Sequence, residues 1–106
     1  MKLLSRSEEI LLLAVWRLEG NAYGVSIREQ VSRVTGHEWT FGAVYVPLDT
    51  LTRKGYVRKS LSEPAPQRGG RSKCLYALTD AGKEALREIR RVQEALWDEV
   101  PEMAFD

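Results

Sequence analysis

The chain has 106 residues, 43% hydrophobic and 29% charged, the proportions of a globular domain rather than a fibre, a membrane bundle or a disordered tail. Sixteen basic and fifteen acidic residues leave a net charge of +1, and a single cysteine, Cys74, excludes an internal disulfide framework. These totals predict one cytoplasmic domain with a modest core.

The apolar run at 10–16 is bracketed by Glu8, Glu9 and Arg17 and is seven residues long. It has neither the flanks of a signal peptide nor the length to cross a bilayer, so no membrane partner is expected. Charge is unevenly distributed. Between Arg53 and Lys73 lie seven basic residues (Arg53, Lys54, Arg58, Lys59, Arg68, Arg71, Lys73) and one acidic residue, Glu63, a local +6. The remaining nine basic and fourteen acidic residues make the rest of the chain −5. A polyanion responds to that local excess more than to the total.

In chain order, Ser5 and Glu8 have the spacing of a capping box, which starts a first helix ending near Leu18. Its middle is apolar on every side, so it needs cover on two sides. Its own domain supplies one, and a second subunit is expected at the other through Leu11 and Val15. The alternative is a helix enclosed by its own domain. Tyr23-Gly24 opens a second helix that Gly36 ends, with Ile27, Val31 and Val34 on one face. Trp39 is expected as a core or boundary aromatic.

Thr40 caps a third helix over 41–54, with Phe41, Val44, Leu48 and Leu51 as its inward stripe. The opposite face carries Gly42, Val46, Asp49, Thr50 and Arg53, flanked by Ala43 and Tyr45. That face suits a groove-reading helix. Gly42 and Ala43 allow close approach to phosphates, Val46 and the Thr50 methyl can touch thymine methyls, and Arg53 can reach a phosphate or guanine. An ordinary solvated helix face is the competing reading. Pro47 inside the helix predicts a kink or an irregular first turn, at a cost of about 3 kcal/mol in an ideal helix.

Gly55 stops this helix, and two strands follow at 56–62 and 72–78, the second with Cys74, Tyr76 and Leu78 on its core face. Between them, Pro64, Pro66, Gly69 and Gly70 make a turn with Gln67, Arg68, Arg71 and Lys73 around its tip. Arginines there suit a minor groove or its phosphates, and a solvated loop is the alternative. Thr79-Asp80 caps a last helix to about Val100, stopped by Pro101. Gly82, Leu86, Ile89, Gln93, Leu96 and Val100 alternate steps of four and three, a coiled-coil seam widened by Ala85 and Val92. Trp97 lies beside it, as dimer core or as the lining of a cavity between subunits.

The fold class expected is therefore mainly α with a small β-ribbon (α+β): a winged helix-turn-helix over 1–78 and a C-terminal dimerisation helix and tail over 79–106. Tyr23-Gly24, Gly42-Ala43-Val44-Tyr45, Leu48-Asp49-Thr50-Leu51, Lys54-Gly55, Gly69-Gly70-Arg71 and the run Tyr76-Ala77-Leu78-Thr79-Asp80-Ala81-Gly82 resemble the PadR-like transcriptional regulators. The resemblance implies a homodimeric repressor of palindromic double-stranded DNA operators, joined through the last helix partly against the partner's first helix. It also implies release, in some members, by a small aromatic effector. The implied DNA contacts are Tyr23, Thr40, Gly42, Ala43, Tyr45, Val46, Thr50, Arg53, Lys54, Gln67, Arg68, Gly69, Gly70, Arg71 and Lys73. Half-sites would lie about 34 Å apart, or a multiple of it. Two residues depart from the family pattern. Thr50 stands where arginine is common, and Gln93 where members that bind flat drugs carry an aromatic, with Trp97 one turn later.

Other functions find less in the sequence. His37 and Cys74 lack a partner at catalytic spacing, no Walker loop is present, and no cluster has metal-ligand spacing, so neither an enzyme nor a cofactor or metal is expected. A winged helix that binds proteins remains the alternative, and large apolar residues on the outer face of the third helix would favour it.

Overall fold

A computed structural model describes residues 3–62 and 73–101. The elements are α1 (Arg6–Arg17), α2 (Gly24–Thr35), α3 (Phe41–Arg53), β1 (Val57–Leu61), β2 (Cys74–Leu78) and α4 (Asp80–Asp98). Local sequence rules account for their ends. The Ser5 hydroxyl accepts from the Glu8 amide at 3.2 Å while the Glu8 carboxylate accepts from the Ser5 amide at 2.8 Å, the reciprocal capping box. Thr40 and Thr79 cap α3 and α4 through the amides of Ala43 and Gly82. Gly55, at φ +83°, ends α3, with its own amide donating to Thr52 and that of Tyr56 to Leu51, a Schellman motif. α3 is a single helix that runs across Pro47, whose missing N–H leaves the Ala43 carbonyl without its i+4 donor.

β1 and β2 pair antiparallel, Val57 opposite Leu78 and Leu61 opposite Cys74. A short third partner, undetected in the sequence, joins β2 from the chain before α2. The Tyr76 amide donates to the Ala22 carbonyl at 2.7 Å, and Tyr23 bridges Leu75. This ties the ribbon to the start of α2.

The core is one cluster around α1, which packs against α2, α3, β2 and α4. Leu11, Leu12 and Val15 of α1, Ile27 of α2, and Val44, Leu48 and Leu51 of α3 have no exposed surface. Each such side chain contributes about 1.5–3 kcal/mol by leaving water. Leu11 and Val15 therefore lie inside their own domain and are not surface for a partner. Four elements, α2, α3, β2 and α4, close on this side of the helix. α1 instead exposes Leu13 and part of Ile10 and Trp16.

The expected seam of α4 divides in the same way. Gly82, Leu86 and Ile89 are buried within the chain, whereas Leu96, Trp97 and Val100 are exposed. Val92 is half-buried between the two groups. Gln93, the polar break in the seam, donates to Glu9 of α1 at 3.1 Å. Leu86, Ile89 and Gln93 are thus engaged inside the chain, and only the far end of the seam is open.

The motif glycines of the first and last turns are sites of close approach. A Cβ on Gly24 would meet the Tyr45 hydroxyl at 1.7 Å, and one on Gly82 would meet the Tyr56 carbonyl oxygen at 2.3 Å. Thr79 adds to that second contact, its amide donating to Tyr56 and its hydroxyl to the Gly55 carbonyl at 2.6 Å. The start of α4 is thereby fastened to the stop of α3.

Candidate nucleic-acid interface

α2 and α3 are held as a helix-turn-helix by the turn between them. The Arg28 Nε–H donates to the Trp39 carbonyl at 2.5 Å, the Trp39 amide to Ser32 at 3.0 Å and the Trp39 indole to Thr35 at 3.0 Å. Trp39 is half-buried against the core, the boundary aromatic expected. The Arg28 guanidinium also lies 4.4 Å from the centre of the Phe41 ring.

Phe41 corrects one assignment. It is 52% exposed and stacks on Tyr45, with ring centres 5.9 Å apart. It occupies the first position of α3, ahead of the turn where Val44 meets the core, so helical periodicity places it inward while Arg28 and Tyr45 are what reach its ring. Val46 is 66% exposed, and Tyr45, Gly42, Ala43, Asp49 and Arg53 are exposed with it. Nothing would lie within 4 Å of a Cβ on Gly42, so the helix start is open. The Ala43 amide is taken by Thr40, leaving the neighbouring first-turn amides and the positive end of the helix dipole to attract an anion. Thr50 is half-buried and donates its hydroxyl to the Val46 carbonyl at 3.2 Å.

The ribbon adds cations beside this face. Arg58 and Lys59 are exposed on β1, and the Lys59 Nζ lies 4.0 Å from Asp49 of α3 and 5.9 Å from the centre of the Tyr76 ring. Lys73 lies over the Tyr23 ring at 3.8 Å, joining the foot of the wing to the start of α2. Beyond the paired strands, the Ser62 amide donates to the Lys73 carbonyl and the Lys73 amide to the Ser62 hydroxyl, both at 2.8 Å. Gln67, Arg68, Gly69, Gly70 and Arg71 fall outside the described residues.

Of the expected contacts, Tyr23, Thr40, Gly42, Ala43, Tyr45, Val46, Thr50, Arg53 and Lys73 come from the helix-turn-helix and the wing foot. Lys54 is the exception. Its Nζ is 2.8 Å from the Glu8 carboxylate of α1, so it is engaged with the body of the domain. Burial acts to raise the Glu8 carboxyl, but the Lys54 hydrogen bond, the Ser5 amide and the Lys54 charge outweigh it and hold it below its ordinary value. Tyr76 is shifted the other way. Burial first, then the neighbouring Cys74, push its phenol up to about 12, so it stays neutral as a core residue. Arg28, Phe41 and Lys59, which are not among the expected contacts, border this face. Lys59 was findable in principle, since strand alternation puts it on one face, but its distance from Asp49 depends on how α3 and β1 cross.

Among the described residues no group of three or more His, Cys, Asp or Glu is placed to hold a metal ion. Among them, too, no helix is long and apolar enough to cross a membrane. A sequence model of the transcriptional regulator PadR-like family matches residues 12–88. The chain belongs to that family. Its PadR-like fold is shared with solved structures. A PadR-like transcription factor from Bacteroides fragilis superposes with a TM-score of 0.72 at 21% identity, over 86% of this chain and 82% of that one. A PadR family transcription regulator from Clostridium difficile R20291 has a TM-score of 0.70 at 24% identity, over 96% of this chain and all of the other. A complex named hsRosR-S1, of the H. salinarum protein RosR, has a TM-score of 0.69 at 25% identity, over 92% of this chain and 79% of that one. No curated protein matches the chain. The PadR-like motif residues acquire physical roles here: Gly24 and Gly82 admit Tyr45 and Tyr56, and Thr79 caps α4.

Proposed function

We propose that this chain is a homodimeric repressor that binds a palindromic double-stranded operator, placing Gly42 to Arg53 in a major groove with the ribbon alongside. The observation that carries the reading is the open face of α3 beside β1: Gly42, Val46 and Arg53 are exposed, and the Lys59 Nζ of β1 lies 4.0 Å from Asp49 on the same helix. Residues 1–78 would form the DNA-binding unit and 79–106 the dimerising one. A footprint and a mobility shift on the DNA upstream of its own gene test this. Binding is expected to weaken linearly on a log–log salt plot, with a slope of roughly 0.9 per phosphate neutralised. Binding that ignores salt, or no binding, overturns it.

The dimer reading rests on two apolar surfaces. One is the end of α4, with Leu96 62% and Trp97 59% exposed. The other is a groove of about 460 Å³ between α1 and α2, lined by Ile10, Leu13, Trp16 and Val34 among others. Each would bury the other across a two-fold axis, the α4 end of one copy in the groove of its mate. Trp16 and Trp97 would then line the join, where a flat aromatic effector is expected to insert and quench their fluorescence.

A protein-binding winged helix has one observation in its favour, the exposed aromatic pair Phe41 and Tyr45. Salt dependence separates it from the DNA reading, since apolar docking lacks the counterion release of phosphate neutralisation.

A further inference from the structure

In the middle of the basic reading face stands one acidic residue. Asp49 is exposed on α3, four residues before Arg53 and on the same side of the helix. Its Oδ2 is 3.4 Å from the Arg53 Nη2, and its Oδ1 is 4.0 Å from the Lys59 Nζ on β1. One carboxylate thus spans two cations from the two elements that would meet DNA. All three side chains are at least two-fifths exposed, and ion pairs in such positions add little to folding stability. The placement matters instead for what the cations are free to do.

We propose that Asp49 is a specificity-determining residue of the reading helix. The inference rests on the DNA-binding reading and deepens it. On an arbitrary duplex the carboxylate occupies Arg53 and Lys59, which then neutralise Asp49 rather than phosphates, and it adds its own repulsion from the backbone. Fewer counterions are released and the complex is weak. A carboxylate only accepts hydrogen bonds, and in the major groove the exocyclic amino groups of cytosine N4 and adenine N6 donate. Where a site presents such a group to Asp49, the carboxylate is satisfied by the base and both cations turn to phosphates. Asp49 therefore penalises the wrong sequence more than it contributes to the right one, which is how repulsion creates discrimination.

The test compares Asp49→Asn and Asp49→Ala in the full chain with Glu84→Gln, which removes an acid paired to Arg87 on α4, away from the reading face. Each variant is titrated with the footprinted duplex and with a scrambled duplex of equal length, across a range of KCl. Both Asp49 variants are expected to bind the scrambled duplex several-fold more tightly, with a salt slope steeper by up to about 2, as two cations are freed. The ratio of specific to scrambled affinity is expected to fall about tenfold, and Glu84→Gln to leave it unchanged. Equal shifts on both duplexes, an unchanged slope, or the same effect from Glu84→Gln overturn the inference alone. Binding of neither duplex by the unaltered protein overturns the DNA-binding reading, and this inference with it.

Discussion

The two halves of α4 share one seam and meet opposite fates. Gly82, Leu86 and Ile89 are buried against their own chain, while Leu96, Trp97 and Val100, further along the same heptad pattern, are exposed. The division falls at Gln93, bonded to Glu9 where α4 leaves α1 behind. A periodic apolar stripe states only that something covers it. Whether that cover is the same chain or another depends on how far the neighbouring elements reach.

That contrast can be broken from either side. The largest effect is expected from Leu86→Asp, which places a charge with no partner in the core. Loss of a cooperative thermal transition is expected by circular dichroism, since burying an unpaired charge removes a large part of the roughly 5–15 kcal/mol that holds a domain folded. A variant that melts normally would show that this half of the seam faces a partner after all. On the exposed half, Leu96→Asp with Trp97→Asp is expected to leave the melting of dilute protein nearly unchanged and to convert dimer to monomer in light scattering. Persistence of the dimer would move the interface away from the α4 end.

Smaller changes sharpen the same comparison. Gly82→Ala would put a methyl 2.3 Å from the Tyr56 carbonyl oxygen, at the anchored end of α4. A loss of about 1–3 kcal/mol is expected in denaturant unfolding, as for other overpacked sites. An equivalent added methyl at Gly42, which has open space around it, is expected to cost nothing of the kind. The smallest effect concerns Glu8, whose carboxyl is held below its ordinary 4.5 in the fold. A depressed acid contributes stability above its unfolded-state value, and that contribution fades as pH falls through the folded value. As pH falls below 4.5, the melting temperature of the native chain is expected to drop more than that of Glu8→Gln. Parallel curves would deny the Glu8–Lys54 pair any part in stability.

Much of the fold was legible along the chain. Ser5 with Glu8, Thr40, Gly55 and Thr79 announced the helix ends, and strand alternation placed Tyr76 and Leu78 on the core face. Less of the interface was. Phe41 follows the inward stripe by angle yet projects past the core, and Lys54 looks like a phosphate contact until Glu8 of α1 arrives beside it.

Caps, stops and helical faces were decided by interactions within four or five residues, so the order of amino acids alone settled them. Which apolar faces were covered, which cations were paired and where α4 ran out of its own domain required residues tens of positions apart to meet. Leu11 and Val15 are buried because α2, α3, β2 and α4 all converge on α1, and Asp49 meets Lys59 because α3 crosses β1. Burial and ion pairing depend on distance in space, and only the packed chain sets that distance.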